Sequence, residues 1–108
     1  MKRRLTPAET RLLSYIIKDT PEGPEIIETL PTIFVEEMDD GGMGSLKVVI
    51  EGKDERRTGG ILNDMEFHDI DGMLLVITVI LDTDDKFYEL DIFKGDFSPL
   101  IKMPDVPD

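Results

Sequence analysis

Nine consecutive residues, Met73 to Leu81, include a single polar side chain, Thr78. The run is too short to span a membrane as a helix, which takes about 20 apolar residues. Val76, Ile77, Thr78, Val79 and Ile80 are β-branched, which suits a strand. A strand facing water on one side alternates polar and apolar residues, whereas one apolar throughout reads as buried on both faces. In extended backbone Met73, Leu75, Ile77, Val79 and Leu81 point one way, and Leu74, Val76, Thr78 and Ile80 the other. Burying each large side chain contributes about 1.5–3 kcal/mol. Leaving either row in water forfeits an amount comparable to a domain's net stability. Two covers are therefore expected: a helix layer on one side and, on the other, the C-terminal segment, sheet curvature or a second copy of the protein.

The helix layer is written at the start of the chain. Thr6 and Glu9 form a capping-box pattern with Pro7 at the first helical position. Leu12, Leu13, Ile16 and Ile17 then make one apolar stripe. Pro24 opens a second, shorter helix that Pro31 closes. From residue 32 the period becomes two. Strands are expected over Thr32–Met38, Leu46–Glu51, Ile61–Ile70, Met73–Leu81 and Phe87–Phe93. The glycine-rich Asp39–Ser45 joins the first two, and the charged Gly52–Gly60 forms an exposed loop. In the third strand Ile61, Met65 and Phe67 are placed on one face, and Leu62, Asp64, Glu66 and His68 on the other. The expected fold is α+β: one or two N-terminal helices packed on a mostly antiparallel five-stranded meander sheet. Residues 1–108 read as a single domain, with 1–5 and 104–108 as loose tails and Phe97–Met103 lying across the sheet or along its edge.

Charge narrows the partners. The 108 residues carry a formal net charge of −12. Residues 58–108 hold twelve acids against only Lys86, Lys94 and Lys102. Such a field repels phosphate backbones and anionic lipid, so nucleic acid and membranes are not expected partners. A basic protein is the complementary partner, and a homodimer is the other, from the need for a second cover. There is no cysteine, which excludes disulfides, thiolate metal sites and a thiol nucleophile. The basic N-terminus leads into Thr6-Pro7-Ala8-Glu9, with no signal-like apolar stretch, and a cytoplasmic location is expected. No cofactor is expected.

No complete catalytic constellation appears. Gly41-Gly42-Met43-Gly44-Ser45 follows two aspartates and precedes a strand, which fits a hairpin turn better than a phosphate cradle. Asp69-x-Asp71-Gly72 and Asp82-x-Asp84-Asp85 have acidic-turn character without the spacing of a calcium loop. His68 is the only histidine; it shares a strand face with Glu66 and could form an acid–base pair, but no nucleophile accompanies it. Asp64, Glu66 and His68, together with Glu89 and Asp91 on a neighbouring strand, form the candidate binding surface. Like charges opposed across strands are destabilising unless something compensates them.

Met38-Asp39-Asp40-Gly41-Gly42-Met43-Gly44-Ser45-Leu46 and Glu89-Leu90-Asp91-Ile92-Phe93-Lys94-Gly95-Asp96-Phe97-Ser98-Pro99-Leu100 resemble a family of small uncharacterised bacterial proteins. In that family a start like Leu5-Thr6-Pro7-Ala8-Glu9 precedes a helix. A turn like Phe67-x-Asp69-x-Asp71-Gly72 precedes a long strand. The likeness covers nearly all of residues 4–101, with Phe93 standing where family members usually have tryptophan. The family is a domain of unknown function, so the resemblance implies no activity and no catalytic residues. In size and charge alone the chain is also similar to bacterial toxin-immunity proteins.

The leading expectation is a non-enzymatic, acidic protein-interaction domain, in its sharper form an inhibitor presenting carboxylates to a basic protein. The alternatives are a small-ligand or metal-binding protein or enzyme using Glu66, His68 and the acidic turns, and a structural homodimer subunit.

Overall fold

Thr6 begins the first helix as its sequence dictates. In the computed structural model, which describes residues 1–50, 52 and 56–107, the Thr6 hydroxyl accepts the Glu9 N–H at 3.1 Å. The Glu9 carboxylate in turn accepts the Thr6 N–H at 2.8 Å. The capping box opens α1 (Pro7–Ile17). α2 (Gly23–Thr29) follows after a tight corner and runs into a 3-10 turn, Leu30–Thr32. Only glycine fits at that corner, because a Cβ on Gly23 would lie 1.8 Å from the Ile17 carbonyl oxygen.

Five strands follow among the described residues: β1 (Phe34–Glu37), β2 (Leu46–Val49), β3 (Thr58–His68), β4 (Leu74–Asp82) and β5 (Phe87–Lys94). All neighbouring pairs are antiparallel. The architecture is the expected α+β, with both helices N-terminal to a five-stranded antiparallel sheet. The spatial order is β1-β2-β5-β4-β3. A β1–β2 hairpin and a β3–β4–β5 meander therefore join through β2 and β5, with Leu46 opposite Leu90, and the β2–β3 connection crosses over. Polarity accounts for the arrangement. β5 carries Leu90 and Ile92 and takes an interior place; β3, with Asn63, Asp64, Glu66 and His68, takes an edge.

One face of the sheet is sealed. Leu75, Ile77 and Val79 of β4 are 0 % exposed and pack with Leu90 and Ile92 beneath Leu12, Leu13, Ile16 and Ile17 of α1 and Ile26 of α2. The C-terminal segment covers the same side: Leu100, Met103 and Val106 pack against this cluster. The other row of β4, Leu74, Val76, Thr78 and Ile80, is only half-buried. The second cover expected for it is not supplied by the C-terminal segment. Two bulges also move side chains between faces. An irregularity between Ile61 and Asn63 sets Ile61 opposite Ile80, on the side of Asp64, Glu66 and His68. Ile61 is accordingly 65 % exposed, and Leu62 packs against the core in its stead. A second irregularity, between Ile80 and Leu81, brings Phe87 opposite Leu81, and both Phe87 and Tyr88 are buried.

The N-terminal segment read as a tail makes contacts of its own. Arg3 bridges Val35 through backbone bonds of 2.8 and 2.7 Å, and its guanidinium pairs with Glu9 at 2.8 Å. Within the charged loop expected over Gly52–Gly60, residues 53–55 lie outside the described residues. No helix among the described residues is long and apolar enough to cross a membrane.

Candidate functional site

The sheet face away from the helices gathers all five candidate binding residues. Register places Asp64 opposite Thr78, and Thr78 opposite Asp91. In the next row Glu66, Val76 and Phe93 are aligned, and beyond it His68 faces Leu74. On the other side of Thr78, Ile80 lies between Ile61 and Glu89, and Glu89 continues to Lys47 and Glu36. The result is an apolar ridge of Leu74, Val76 and Ile80 along β4, with carboxylates of β3 on one flank and of β5 on the other. Asp64, Glu66, His68 and Asp91 are exposed, and Glu89 is half-buried.

The acidic rows are compatible because β4 separates them. Strands about 4.8 Å apart put β3 and β5 roughly 10 Å from each other, near the screening length of physiological salt. Among the described residues Asp64, Glu66 and Glu89 form no ion pair. Asp91 accepts a bond of 3.3 Å from the Ser45 hydroxyl. Glu66 and His68 share the face as expected, with no hydrogen bond joining them among the described residues. Lys47 stands opposite Glu89 without forming an ion pair, and the face offers carboxylates of β3 and β5 beside apolar surface.

Two polar clusters lie elsewhere and stabilise the fold, joining the acidic turns noted in the sequence to Lys94 and Arg56, which the sequence did not single out. Lys94, in phase with Leu90 and Ile92, is directed inward and is 0 % exposed. Its ammonium donates to Asp69 at 2.9 Å, to Asp71 at 2.8 Å and to the Pro99 carbonyl at 3.1 Å. Asp69 also accepts the backbone N–H groups of Ile70, Ile101 and Lys102 at 2.8–3.1 Å. Burial opposes the charge on Asp69. The Ile101 N–H, the Lys94 ammonium and the other two amides outweigh it, so the carboxyl titrates well below the ordinary carboxylate range. The bond to Asp71, against the opposing effect of burial, holds the Lys94 ammonium charged above its usual range. This lock ties the β3–β4 turn, the end of β5 and the C-terminal segment together.

The second cluster clamps the opposite end. Arg56 Nε donates to Asp82 at 2.8 Å, with both side chains nearly sealed from water. The Arg56 guanidinium also lies 4.9 Å from the Tyr88 ring centre. Asp82 accepts the Asp84 and Lys86 N–H groups at 2.8 and 3.0 Å. Burial opposes its charge, and the Lys86 amide and Arg56 more than offset this, so its pKa is lowered.

These bonds explain the acidic turns that resembled cation sites. The Asp69 and Asp82 oxygens face lysine, arginine and backbone amides. No three potential metal-ligating side chains converge among the described residues. The glycine-rich loop is the β1–β2 hairpin: Asp40 accepts the Met43 and Ser45 N–H groups at 3.1 and 2.9 Å. A groove of about 440 Å³ lies between α2 and the β4–β5 turn, floored by Ile26, Val48 and Phe87 and rimmed by Glu22, Glu25 and Asp84. Among the described residues no buried side-chain polar atom lacks a partner, so the interior presents no unmatched group to a ligand. The uncovered sheet face remains the best-founded candidate.

No curated protein and no solved structure matches the chain. A family model described as "Domain of unknown function (DUF6984)" matches residues 2–104. With its helices, sheet and glycine-rich hairpin in place across that span, the chain belongs to this family of unknown function.

Proposed function

We propose that this protein is a non-enzymatic interaction domain that docks a basic protein on the open face of its sheet. The observation that carries the reading is the apolar ridge of Leu74, Val76 and Ile80, left partly exposed and flanked by Asp64 and Glu66 on one side and by Glu89 and Asp91 on the other. Apolar surface rimmed by charge is the composition of a docking patch. Carboxylates set around it steer a cationic partner and reject an anionic one. The five strands, four to eleven residues long, present roughly 600 Å², close to the ~800 Å² that a standard interface takes from each partner. A second copy fits less well, because two such faces would bring eight carboxylates together. In its narrower form the reading makes the domain an inhibitor that covers the cationic cleft of its partner, a form supported by size and charge.

Affinity capture from the source cells tests the proposal. A high-pI protein should be retained at low salt, released as salt is raised, and lost with Glu89→Lys or Asp91→Lys. Capture of acidic proteins only, or binding indifferent to salt and to both substitutions, would overturn it.

A further inference from the structure

The two ends of the sheet are finished differently. At one end β1 has four residues and its outer side is bridged by Arg3, whose guanidinium is held by Glu9 and Glu37. At the other end stands β3, the longest strand, with 11 residues. β3 pairs with β4 on one side and, among the described residues, with no strand on the other. An open edge is a row of backbone donors and acceptors that templates another strand unless lysine, proline, a bulge or a covering segment blocks it. β3 has no lysine and no proline. Its two irregularities fall between Thr58 and Asn63, and from Asn63 to His68 it pairs residue for residue with Val79 to Leu74. This second half is regular. It sends Asp64, Glu66 and His68 to the open face and Asn63, Met65 and Phe67 to the helix side, where Met65 and Phe67 pack partly buried against the core.

We infer that the β3 edge from Asn63 to His68 accepts an extended segment of the basic partner as a sixth strand, with lysine or arginine alternating with apolar residues. This rests on the basic-partner reading above and specifies how that partner is held. Main-chain bonds supply affinity in strand addition, and the alternating side chains supply specificity. The cations of the added strand stand beside Asp64 and Glu66, and its apolar residues extend over Met65 and Phe67. Charge selects this occupant over a second copy of the chain. Antiparallel self-pairing centred on Met65 opposes Asp64 to Glu66, and centring on Glu66 opposes that residue to itself; both registers are destabilised. The same carboxylates that discourage self-pairing favour a cationic strand.

The test uses the full chain and a short synthetic peptide alternating lysine and valine. Fluorescence anisotropy at low salt measures binding, and amide hydrogen exchange locates it. Protection is expected at residues 63–68. Methylating alternate peptide nitrogens should weaken binding roughly tenfold, because main-chain bonds are lost while every charge is kept. The double variant Asp64→Lys with Glu66→Lys, checked for folding by circular dichroism, should instead prefer a glutamate–valine peptide. Equal binding by the methylated peptide, or protection confined to β5, overturns strand addition and leaves the basic-partner reading standing. Absence of binding at low salt overturns strand addition. Concentration-dependent dimerisation that protects residues 63–68 without peptide overturns the choice of occupant. The capture experiment judges the broader reading independently.

Discussion

Leu75 and Val76 are consecutive in β4, yet Leu75 is sealed from water and Val76 is partly exposed. The contrast runs the length of the strand. Leu75, Ile77 and Val79 lie beneath two helices and the C-terminal segment, while Leu74, Val76 and Ile80 look out between rows of acids. Packing within the chain accounts for the apolar character of the first row. It accounts for only part of the second, and that remainder is what a docking partner would use. The difference separates residues that hold the fold from residues that present a surface.

The most forceful way to break this comparison is to truncate one β-branched side chain on each face to alanine. Ile77→Ala should cost about 2–5 kcal/mol in denaturant unfolding, a fall in Tm on the order of 15 °C. An Ile77→Ala protein as stable as a Val76→Ala protein would make the faces equivalent. Next in size is the buried lock at the sealed side. Asp69→Asn leaves the enclosed Lys94 ammonium with one fewer anion and should lower Tm by on the order of 10 °C. Its pH signature has a definite sign. The folded Asp69 carboxyl lies below the ordinary value of 3.8, so its contribution is complete above that pH and is lost as pH falls through the folded value. Acid titration of stability should therefore be shallower for Asp69→Asn than for the parent below pH 3.8, and parallel curves would remove Asp69 from the account. The smallest effect sharpens the contrast: Val76→Ala should stay within about 1 kcal/mol of the parent yet weaken capture of the basic partner.

The parts of the fold legible in the sequence are those whose signals are local. The Thr6–Glu9 box and the Leu12, Leu13, Ile16 and Ile17 stripe specify α1 within a few turns of chain. The face assignment along β4 follows directly from alternation. Strand order is not local. Leu46 meets Leu90 across more than a third of the chain's length, and nothing beside either residue records that choice. Bulges defeat alternation by adding one residue. Alternation alone places Ile61 on the face of Met65 and Phe67, and the irregularity before Asn63 puts it on the opposite one. For the candidate surface, strand phase grouped Asp64, Glu66 and His68 and, separately, Glu89 and Asp91. It could not reveal that β4 stands between the two groups. The lock was partly visible: Lys94 continues the Leu90, Ile92 phase inward, and Asp69 and Asp71 sit in a turn able to meet it. Arg56 offered no such clue, because it sits in a run of charges and its partner Asp82 lies beyond β3, at the far end of β4.

The crossing from β2 to β3 also governs when the molecule can be completed. α1, α2 and the β1–β2 hairpin leave the ribosome first, but the strands that seat them, β4 and β5, are made last. Translation separates the two by on the order of a few seconds. For that interval Leu12, Leu13, Ile16 and Ile17 have no floor, and the nascent N-terminal half exposes the surface it will later hide. Assembly waits for Lys94, the residue whose arrival both finishes β5 and fastens the segment that follows it.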